Sequence, residues 1–379
     1  MAIKRKLIRA ATIPTSLKTF LNGSFETLME RYDLVLVSSP DKELEELHRM
    51  YGVRTVGVAM ERRMSPVKDL KALWRLVRVF GKEKPYMVHS MTPKAGLLCM
   101  LAAWITRVPR RVHTFTGLVW PTATGLKRRI LMFTDWLTCA CATHVIPEGQ
   151  GVMDDLQQHI TCKPMRVLGY GNVRGVDMDY WRRENADAGI LDDVSDKNVF
   201  TFLFVGRIVR DKGINELVEA FSRVRRGRNA RLLLVGRFED NLDPVSDATR
   251  RMIDECPDIV YAGTQSGRNL IAYYAASDCF VFPSYREGFP NTVLEAGAMG
   301  LPSIVTDING SREIIADGKN GLIVPSKDVD ALTEAMSRMV DDDEMRERMA
   351  QKARPMIAAR FEQGFVRKCQ MDFYDEIMQ

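Results

Sequence analysis

The 379-residue sequence lacks several features that mark common classes of protein. Its seven cysteines form no CxxC pair and no Cys/His cluster at metal-ligand spacing, which predicts free thiols, a reducing compartment and no structural zinc. The N-terminus has a short apolar run without a small-residue cleavage site, so we expect no signal peptide. The most apolar stretch, residues 96–108, is much shorter than the ~20 residues of a transmembrane helix. We therefore expect a cytoplasmic chain with a buried helix there.

Acidic residues are scarce in the N-terminal half. Residues 1–175 contain 27 Lys and Arg against 14 Asp and Glu, whereas the remainder contains 27 against 35, for a net charge of +5. A basic half could contact nucleic acid, an anionic membrane or a phosphorylated ligand. Because no nucleic-acid-binding module and no interleaved aromatic residues accompany the basic charge, nucleic-acid binding is the weakest of these interpretations.

Short apolar runs alternate with longer helical segments twice along the chain, which predicts an α/β fold with two parallel sheets. The predicted strands are 7–12, 34–38, 53–58, 87–89, 112–115, 144–146, 165–168, 200–205, 231–235, 259–261, 279–282, 303–306 and 322–324. With the polar stretch 182–198 as a linker, we expect an N-terminal domain over 1–181 and a C-terminal domain over 182–362. A helix over 363–379 is expected to pack back on the first domain. Two such sheets joined by a linker are expected to leave a cleft between the carboxyl ends of their strands. Ligands of open α/β sheets bind at these strand ends.

The segment 278–302 is the most informative for function. An apolar strand over 279–282 leads into a loop with Glu287 and Gly288, and we predict that a helix begins around Pro290. Proline suits the first turn of a helix, and the next three amides would then be available to an anion. Those amides belong to Asn291, Thr292 and Val293.

Two carboxylates flank this predicted anion pocket. Glu287 lies in the loop and Glu295 lies more than a turn inside the helix, so they cannot form a pair on one helix face. Because carboxylates accept hydrogen bonds from hydroxyls, one could bind a hexose and the other a ribose. The alternative is that both are ordinary solvated residues.

Two cations follow the strand 200–205. The strand ends at Gly206 and Arg207, and a helix is predicted from about Gly213, immediately after Lys212. Two fixed cations at this place can hold an anionic group. The alternative interpretation is a solvated cation at a strand end.

Both segments resemble motifs of the family 4 retaining glycosyltransferases, including those that build capsular polysaccharides and lipid-linked oligosaccharides. Residues 287–295 match the EGF-x-x-x-x-x-E motif, and residues 205–213 resemble the V-G-R and K-G pattern. The resemblance implies a GT-B fold, in which two Rossmann-like domains with parallel sheets face each other across a cleft. It also implies a retaining, metal-independent transfer from a nucleotide-diphosphate sugar, with no cofactor.

The resemblance further implies roles for individual residues. Glu287, Arg207 and Lys212 would be catalytic, with Glu287 on the donor hexose, the two cations on the diphosphate and Glu295 on the ribose. A strand pair that includes residues 258–263 would line the base pocket near Tyr261. The implied donor-binding residues are Gly206, Arg207, Lys212, Tyr261, Glu287, Gly288, Phe289, Pro290, Asn291, Thr292, Val293 and Glu295.

The N-terminal half departs from the family pattern. Where the family often has a histidine before glycine, this chain has Thr116 before Gly117, so a catalytic histidine cannot be carried over. His113 lies three residues earlier and faces either the cleft or the core, depending on a one-residue register. Asn172, in a stretch similar to the family's N-G-x-D strand exit, could contact substrate or cap a turn. These four residues are the candidates for acceptor contacts.

Residues 67–82 have the pattern of an amphipathic helix. On a helical wheel, Lys68, Lys71, Arg75, Arg78 and Lys82 occupy one arc, and a second arc contains Val67, Leu70, Leu73, Trp74, Val77 and Phe80. This pattern is typical of an interfacial membrane helix. It also fits an ordinary helix whose apolar face packs on a sheet. The predicted membrane-facing residues are Lys68, Lys71, Trp74, Arg75 and Arg78.

The resemblance, together with the basic helix, implies a retaining glycosyltransferase that moves a hexose or N-acetylhexosamine onto a polyprenyl-diphosphate-linked saccharide for cell-surface polysaccharide synthesis. Uridine-diphosphate sugars are the expected donors, and a peripheral position on the inner face of the cell membrane is expected, with no nucleic-acid partner. The alternatives are a GT-B-type sugar-nucleotide epimerase or hydrolase and a basic nucleic-acid-binding protein. A dinucleotide oxidoreductase is disfavoured because neither first strand is followed by G-x-G-x-x-G.

Overall fold

A computed structural model describes residues 4–21, 23–61, 64–241 and 243–378. The chain forms two compact units, of which unit 1 comprises residues 1–174 and 364–379 and unit 2 comprises residues 175–363. The chain first passes between the units at residues 174 and 175, before the polar stretch 182–198 that we interpreted as a linker. That stretch instead contains a helix of unit 2. The last segment of the chain returns to unit 1.

Unit 1 contains a parallel six-stranded sheet in the order β3-β2-β1-β4-β5-β6. Its strands are β1 (Lys6–Ala10), β2 (Asp33–Ser38), β3 (Arg54–Gly57), β4 (Met87–Met91), β5 (Arg110–Phe115) and β6 (His144–Pro147). Its first seven helices are α1 (Pro14–Leu21), α2 (Phe25–Arg31), α3 (Lys42–Tyr51), α4 (Pro66–Glu83), α5 (Pro93–Ile105), α6 (Gly125–Cys141) and α7 (Gln150–His159).

Unit 2 repeats this architecture with a parallel sheet in the order β12-β11-β10-β7-β8-β9. Its strands are β7 (Phe200–Val205), β8 (Ala230–Val235), β9 (Ile259–Gly263), β10 (Cys279–Phe282), β11 (Ser303–Thr306) and β12 (Gly321–Val324). The helices are α8 (Ala188–Val194), α9 (Ile214–Val224), α10 (Asp247–Glu255), α11 (Gly267–Ala275), α12 (Asn291–Ala298), α13 (Ser311–Ile314), α14 (Val329–Asp341) and α15 (Asp343–Phe361), and α16 (Gln363–Met378) then enters unit 1.

Both sheets are covered by helices on their two faces, as parallel sheets require. In unit 1, one core contains residues of α4, α5, α6 and α7, and the other contains residues of α1, α2, α3 and α16. Side-chain caps begin four helices of unit 2 and satisfy amides that the first turn leaves unbonded. The capping residues are Asp187, Ser246, Asp328 and Asp342.

Twelve of the thirteen predicted strands are present, and the prediction of a strand over 165–168 is wrong. Met165 makes only an isolated bridge to Val145. Pro164 precedes it and has no N–H to donate to a ladder. Gly169 and Gly171 then turn the chain with positive φ. All seven cysteines are free, as their number and spacing predicted.

Helix α4 packs on the sheet through a different stripe from the one predicted. Its buried residues are Ala72, Leu76, Phe80 and Glu83, whereas Val67, Leu70 and Trp74 are exposed. Of the predicted apolar arc, therefore, only Phe80 is buried and part remains in solvent. Among the described residues, no helix is both long and apolar enough to cross a membrane.

A buried polar chain attaches α16 to the sheet of unit 1. Arg9 on β1 is fully buried and donates to the hydroxyl of Tyr374, and that hydroxyl also bonds Nδ1 of His89. Nε2 of His89 lies 2.7 Å from Oγ1 of Thr114. Burial and the charge of Arg9 hold the pKa of His89 well below its usual value, so Nδ1 of the neutral ring can accept from Tyr374.

We expect Tyr374→Phe to lower the free energy of unfolding by about 1–3 kcal/mol, because it leaves a buried guanidinium and an imidazole without their shared partner. Urea denaturation followed by circular dichroism measures the change. Tyr180→Phe is the control, since Tyr180 is exposed. Equal stability of the two variants would contradict a role for this chain in holding α16.

Candidate functional site

The candidate site lies at the carboxyl ends of β7 and β10. These strands are neighbours, and the sheet continues from β7 to β8 on one side and from β10 to β11 on the other. Such a point, where the strand order reverses, is where open α/β sheets bind ligands. Gly206 and Arg207 follow β7, and the loop with Glu287 follows β10.

Two glycines allow the loops at this point to approach each other. Gly213 has φ 70°, and a Cβ there would lie 2.1 Å from the carbonyl oxygen of Pro283. Gly310 has φ 75°, and a Cβ there would lie 2.3 Å from the carbonyl oxygen of Gly288. A side chain at either position would push the loops apart, so glycine is required there.

This approach brings the ammonium group of Lys212 to the carboxylate of Glu287. Lys212 donates to Oε1 of Glu287, and both side chains are largely buried. The hydroxyl of Ser284 lies 2.9 Å from the same oxygen. Lys212 also lies 5.4 Å from the centre of the Phe282 ring. Two residues that the sequence places 75 positions apart therefore form one unit of the site.

Arg207 is held by a carboxylate that the sequence analysis did not identify. Its Nη1 donates to Oε2 of Glu239 at 2.9 Å, and its Nη2 lies 3.8 Å from Oδ1 of Asp211. Glu239 also accepts from Nη2 of Arg237 at 3.0 Å. The Arg207 side chain as a whole is 41 % exposed, so it is not enclosed by the protein.

The pKa shifts agree with this charge arrangement. Burial lowers the pKa of Arg207, but the hydrogen bond to Glu239 and the charges of Asp211, Glu239 and Glu287 outweigh it, and the net shift is upward. Burial raises the pKa of Glu239, but Arg207 and Arg237 outweigh it, and the net shift is downward. Both groups therefore remain ionised at neutral pH.

Helix α12 begins one residue later than predicted. Pro290 is the N-cap with ψ 107° and does not belong to the first turn. The amide of Val293 donates to the carbonyl of Pro290 at 3.2 Å, and Val293 is buried. The prediction that the Val293 amide is available to an anion is therefore wrong. Asn291 and Thr292 occupy the first turn and are half-buried.

Glu295 is a buried residue of α12, which excludes the interpretation that it is a solvated helix residue. The hydroxyl of Tyr274 on α11 lies 3.3 Å from Oε2 of Glu295. Tyr274 is itself fully buried. Because the partner of Glu295 comes from another helix, no sequence spacing could have identified it.

Two further donor-side candidates differ in exposure to solvent. Tyr261 on β9 is exposed, and its ring centre lies 4.9 Å from that of Phe238. Phe289 is buried, and its ring centre lies 5.3 Å from that of Phe361. Its side chain therefore belongs to the core of unit 2, and only its backbone is available to a ligand.

The acceptor-side candidates lie in unit 1. Thr116 and Gly117 follow the carboxyl end of β5 and are half-buried. His113 is buried with Nδ1 2.9 Å from Oγ of Ser90, and burial lowers its pKa to about 3. His113 is therefore a neutral core residue, which agrees with the second of the two interpretations of its register.

Asn172 is buried and has φ 60°. Its amide donates to the carbonyl of Glu148 at 2.7 Å, and its Oδ1 accepts from the amide of Arg174 at 3.0 Å. These bonds are those of a turn cap, and asparagine tolerates the left-handed conformation that the turn requires. Asn172 therefore caps a turn, and its contact with substrate stays a prediction.

Thr92, which precedes α5 at the carboxyl end of β4, was not among the predicted site residues. Its φ of 73° and ψ of 142° are rare for a β-branched residue. Its hydroxyl lies 2.8 Å from that of Thr12, which follows β1. These hydroxyls mark the point in unit 1 where the strand order reverses, between β1 and β4.

Over the parts of the chain that the structure describes, no three His, Cys, Asp or Glu side chains converge as possible metal ligands. The charged side chains of the site in unit 2 include Arg207, Lys212, Glu239 and Glu287, with Asp211 and Arg237 beside them.

The comparisons with known proteins cover both units. The family model for glycosyl transferases group 1 matches residues 192–356, and that for the glycosyl transferase 4-like domain matches residues 20–171. The capsular polysaccharide biosynthesis glycosyltransferase CapM of Staphylococcus aureus is 31% identical over 364 residues, which span 94% of this chain and 93% of the relative.

A second relative supports the same family, and a solved structure supports the same fold. The Escherichia coli UDP-Gal:alpha-D-GlcNAc-diphosphoundecaprenol alpha-1,3-galactosyltransferase is 28% identical over 74% of this chain and 73% of its own length. The structure of Anabaena Alr3699/HepE in complex with UDP is 16% identical, has a TM-score of 0.80, and the match covers 99% of this chain and 100% of that protein. The predicted family and the predicted two-domain α/β fold are confirmed, and the chain belongs to the family 4 glycosyltransferases with the GT-B fold.

Proposed function

We propose that the protein transfers a hexose or N-acetylhexosamine from a uridine-diphosphate sugar to a polyprenyl-diphosphate-linked saccharide, with retention at the anomeric carbon. The observation that carries this proposal is the pair formed by Lys212 and Glu287 beside Arg207, at the reversal point of the sheet in unit 2. This arrangement offers two cations to a diphosphate and a carboxylate to a sugar hydroxyl.

In the proposed reaction, the bond between the anomeric carbon and the diphosphate oxygen breaks as the acceptor oxygen attacks from the same face. The acceptor proton passes to the leaving diphosphate. Negative charge grows on that leaving group in the transition state, and Arg207 and Lys212 stabilise it. Glu287 orients the hexose, while Glu295 holds the ribose. No metal ion takes part in this scheme.

The nature of the acceptor is proposed from the relatives. The name of the Escherichia coli relative specifies a uridine-diphosphate sugar donor and a diphosphoundecaprenol-linked acceptor, and that of the Staphylococcus aureus relative specifies capsular polysaccharide synthesis. The basic unit 1 suits an acceptor with a diphosphate. We propose that unit 1 binds this acceptor through Thr116 and Gly117 at the inner face of the cell membrane.

We expect Arg207→Ala and Glu295→Ala each to lower kcat/KM by about 100- to 1000-fold, because each removes a charged contact to the donor. Transfer of radiolabelled sugar to a lipid-linked acceptor measures the loss, and circular dichroism verifies the fold. Arg223→Ala is the matched control, since Arg223 pairs with Glu219 and Asp330 on the surface of unit 2. Wild-type rates in either site variant would refute the roles proposed here.

We expect uridine diphosphate to raise the melting temperature more than guanosine or adenosine diphosphate does, because a ligand that binds only the folded state stabilises it. Differential scanning fluorimetry measures the shift. Arg207→Ala should reduce the shift, and Arg223→Ala should not. Equal shifts with all three nucleotides would contradict a uridine preference.

We expect Glu239 to act by positioning Arg207. Glu239→Ala should lower kcat/KM about tenfold in the wild-type background and have little further effect in the Arg207→Ala background, because coupled residues are not additive. A double-mutant cycle on kcat/KM tests this, and full additivity would exclude the positioning role.

Glu239 positions Arg207 only while its carboxylate is ionised, so the lowered pKa of Glu239 sets the pH range over which this positioning holds. The ion pair with Arg207 should persist through neutral pH and be lost only as pH falls through the lowered pKa, below the usual glutamate range.

A further inference from the structure

Unit 1 exposes an unusual set of apolar side chains on three neighbouring helices. Helix α5 contacts both α4 and α6. Three of the five tryptophans of the chain lie on these helices and are exposed, namely Trp74, Trp104 and Trp136, whereas the other two are buried. We call the outward side of α4, α5 and α6 the three-helix face. Its exposed apolar residues are Val67, Leu70, Trp74, Trp104, Ile105, Leu126, Ile130, Phe133 and Trp136.

On α4, the exposed residues follow helical spacing and include both apolar and basic side chains. Val67, Leu70 and Trp74 are three and four residues apart, so they form one ridge opposite the buried stripe. Lys71 and Arg78 are exposed on the same side of the helix. Trp74 is 62 % exposed, although burial would normally be expected for a side chain of this size.

Helix α5 is apolar on all sides. It has no charged residue between Lys94 and Arg107, and its outward side carries Leu101 and Trp104 as well as Ile105. A helix that is apolar all round is normally buried in a core or a membrane. Trp104 is 57 % exposed, so the protein itself does not cover this side.

Helix α6 repeats the pattern of α4. Leu126, Ile130 and Phe133 are four and three residues apart and form an exposed ridge, next to which the ring of Trp136 stacks on Phe133 with centres 5.7 Å apart. Arg129 is exposed and lies between the first two residues of the ridge along the helix. The aromatic pair therefore stays in solvent although it would be stabilised by burial.

The charges on the three-helix face are of one sign. On α4, Asp69 bonds Lys94 at 2.6 Å, and Glu83 is buried against Lys6 and Arg54. Helix α5 has no carboxylate.

On α6, the single carboxylate, Asp135, is largely covered, and burial raises its pKa to about 7. Lys68 forms an exposed ion pair with Glu61, which offsets part of its charge. Ion pairs of Lys71, Arg75 or Arg78 are not found among the described residues.

We infer that the three-helix face lies on an anionic lipid bilayer, with Trp74, Trp104, Phe133 and Trp136 at the level of the head groups. This inference rests on the proposed function, in which the acceptor is lipid-linked, and extends the predicted membrane-facing surface from α4 to the exposed apolar residues of α5 and α6, which the sequence analysis did not identify. Aromatic side chains flanked by cations are what an interfacial surface requires, and the basic residues match the charge of the lipid.

Vesicle flotation with the full-length protein tests the inference. Wild type should bind vesicles of phosphatidylcholine mixed with phosphatidylglycerol and bind vesicles of phosphatidylcholine alone about tenfold more weakly. Phe133→Ser with Trp136→Ser should weaken binding to the mixed vesicles about tenfold or more, since the double variant lacks the apolar area that the bilayer buries when the protein binds. Arg75→Glu with Arg78→Glu should do the same by reversing two charges.

The matched control is Lys319→Glu with Lys352→Glu, which changes the net charge equally on exposed positions of unit 2. It should bind like wild type. The inference is overturned if wild type does not bind the mixed vesicles, if the apolar variant binds them as wild type does, or if the control weakens binding as much as Arg75→Glu with Arg78→Glu. It is also overturned if wild type dimerises without lipid and the apolar variant does not, because the face then meets a second copy of the chain.

Thermal stabilisation by uridine diphosphate separates this inference from the proposed function. The shift should be equal in wild type and in both three-helix-face variants, which also verifies that the variants are folded. Vesicle binding without a nucleotide shift would refute the proposed donor and leave the surface intact. A nucleotide shift without vesicle binding would refute the surface and leave the donor chemistry intact.

Discussion

The ion pair between Lys212 and Glu287 is the contact on which the arrangement of the site depends. It joins the loop after β7 to the loop after β10. These two strands are neighbours in the sheet, and the strand order reverses between them. Gly213 lets the loops approach, since a Cβ would meet the carbonyl of Pro283. A buried pair of this kind contributes more to geometry than to stability, because desolvation offsets much of the attraction.

The carboxylates of the site also pair with the two cations that are proposed to bind the donor. Arg207 pairs with Glu239 and Lys212 pairs with Glu287, so neither cation is an uncompensated charge. In the proposed reaction, the diphosphate of the donor competes with carboxylates that already hold the cations in place. Such a preorganised site needs little rearrangement when charge develops on the leaving group, which is how fixed dipoles and charges accelerate a reaction.

The sequence predicted the parts of the site that are local in the chain. Strand ends, glycines and the spacing of Glu287 and Glu295 are visible within short windows, and twelve strands were found near their predicted positions. Glu239 was missed because it follows β8 and reaches Arg207 only through the pairing of neighbouring strands. Tyr274 was missed for the same reason, since α11 meets α12 only in the folded unit.

The orientation of α4 shows a different limit of sequence reasoning. Apolar residues occur on both sides of this helix, so its pattern does not determine which side faces the sheet. The fold selects Ala72, Leu76 and Phe80 for the core and leaves Val67, Leu70 and Trp74 outside. Full burial of a side chain of this size contributes about 1.5–3 kcal/mol, and these side chains, which are more than half exposed, gain only part of it. In the inference drawn above, a lipid bilayer covers the exposed apolar residues of α4, α5 and α6, and the exposed cations of α4 and α6 favour a bilayer that is negatively charged.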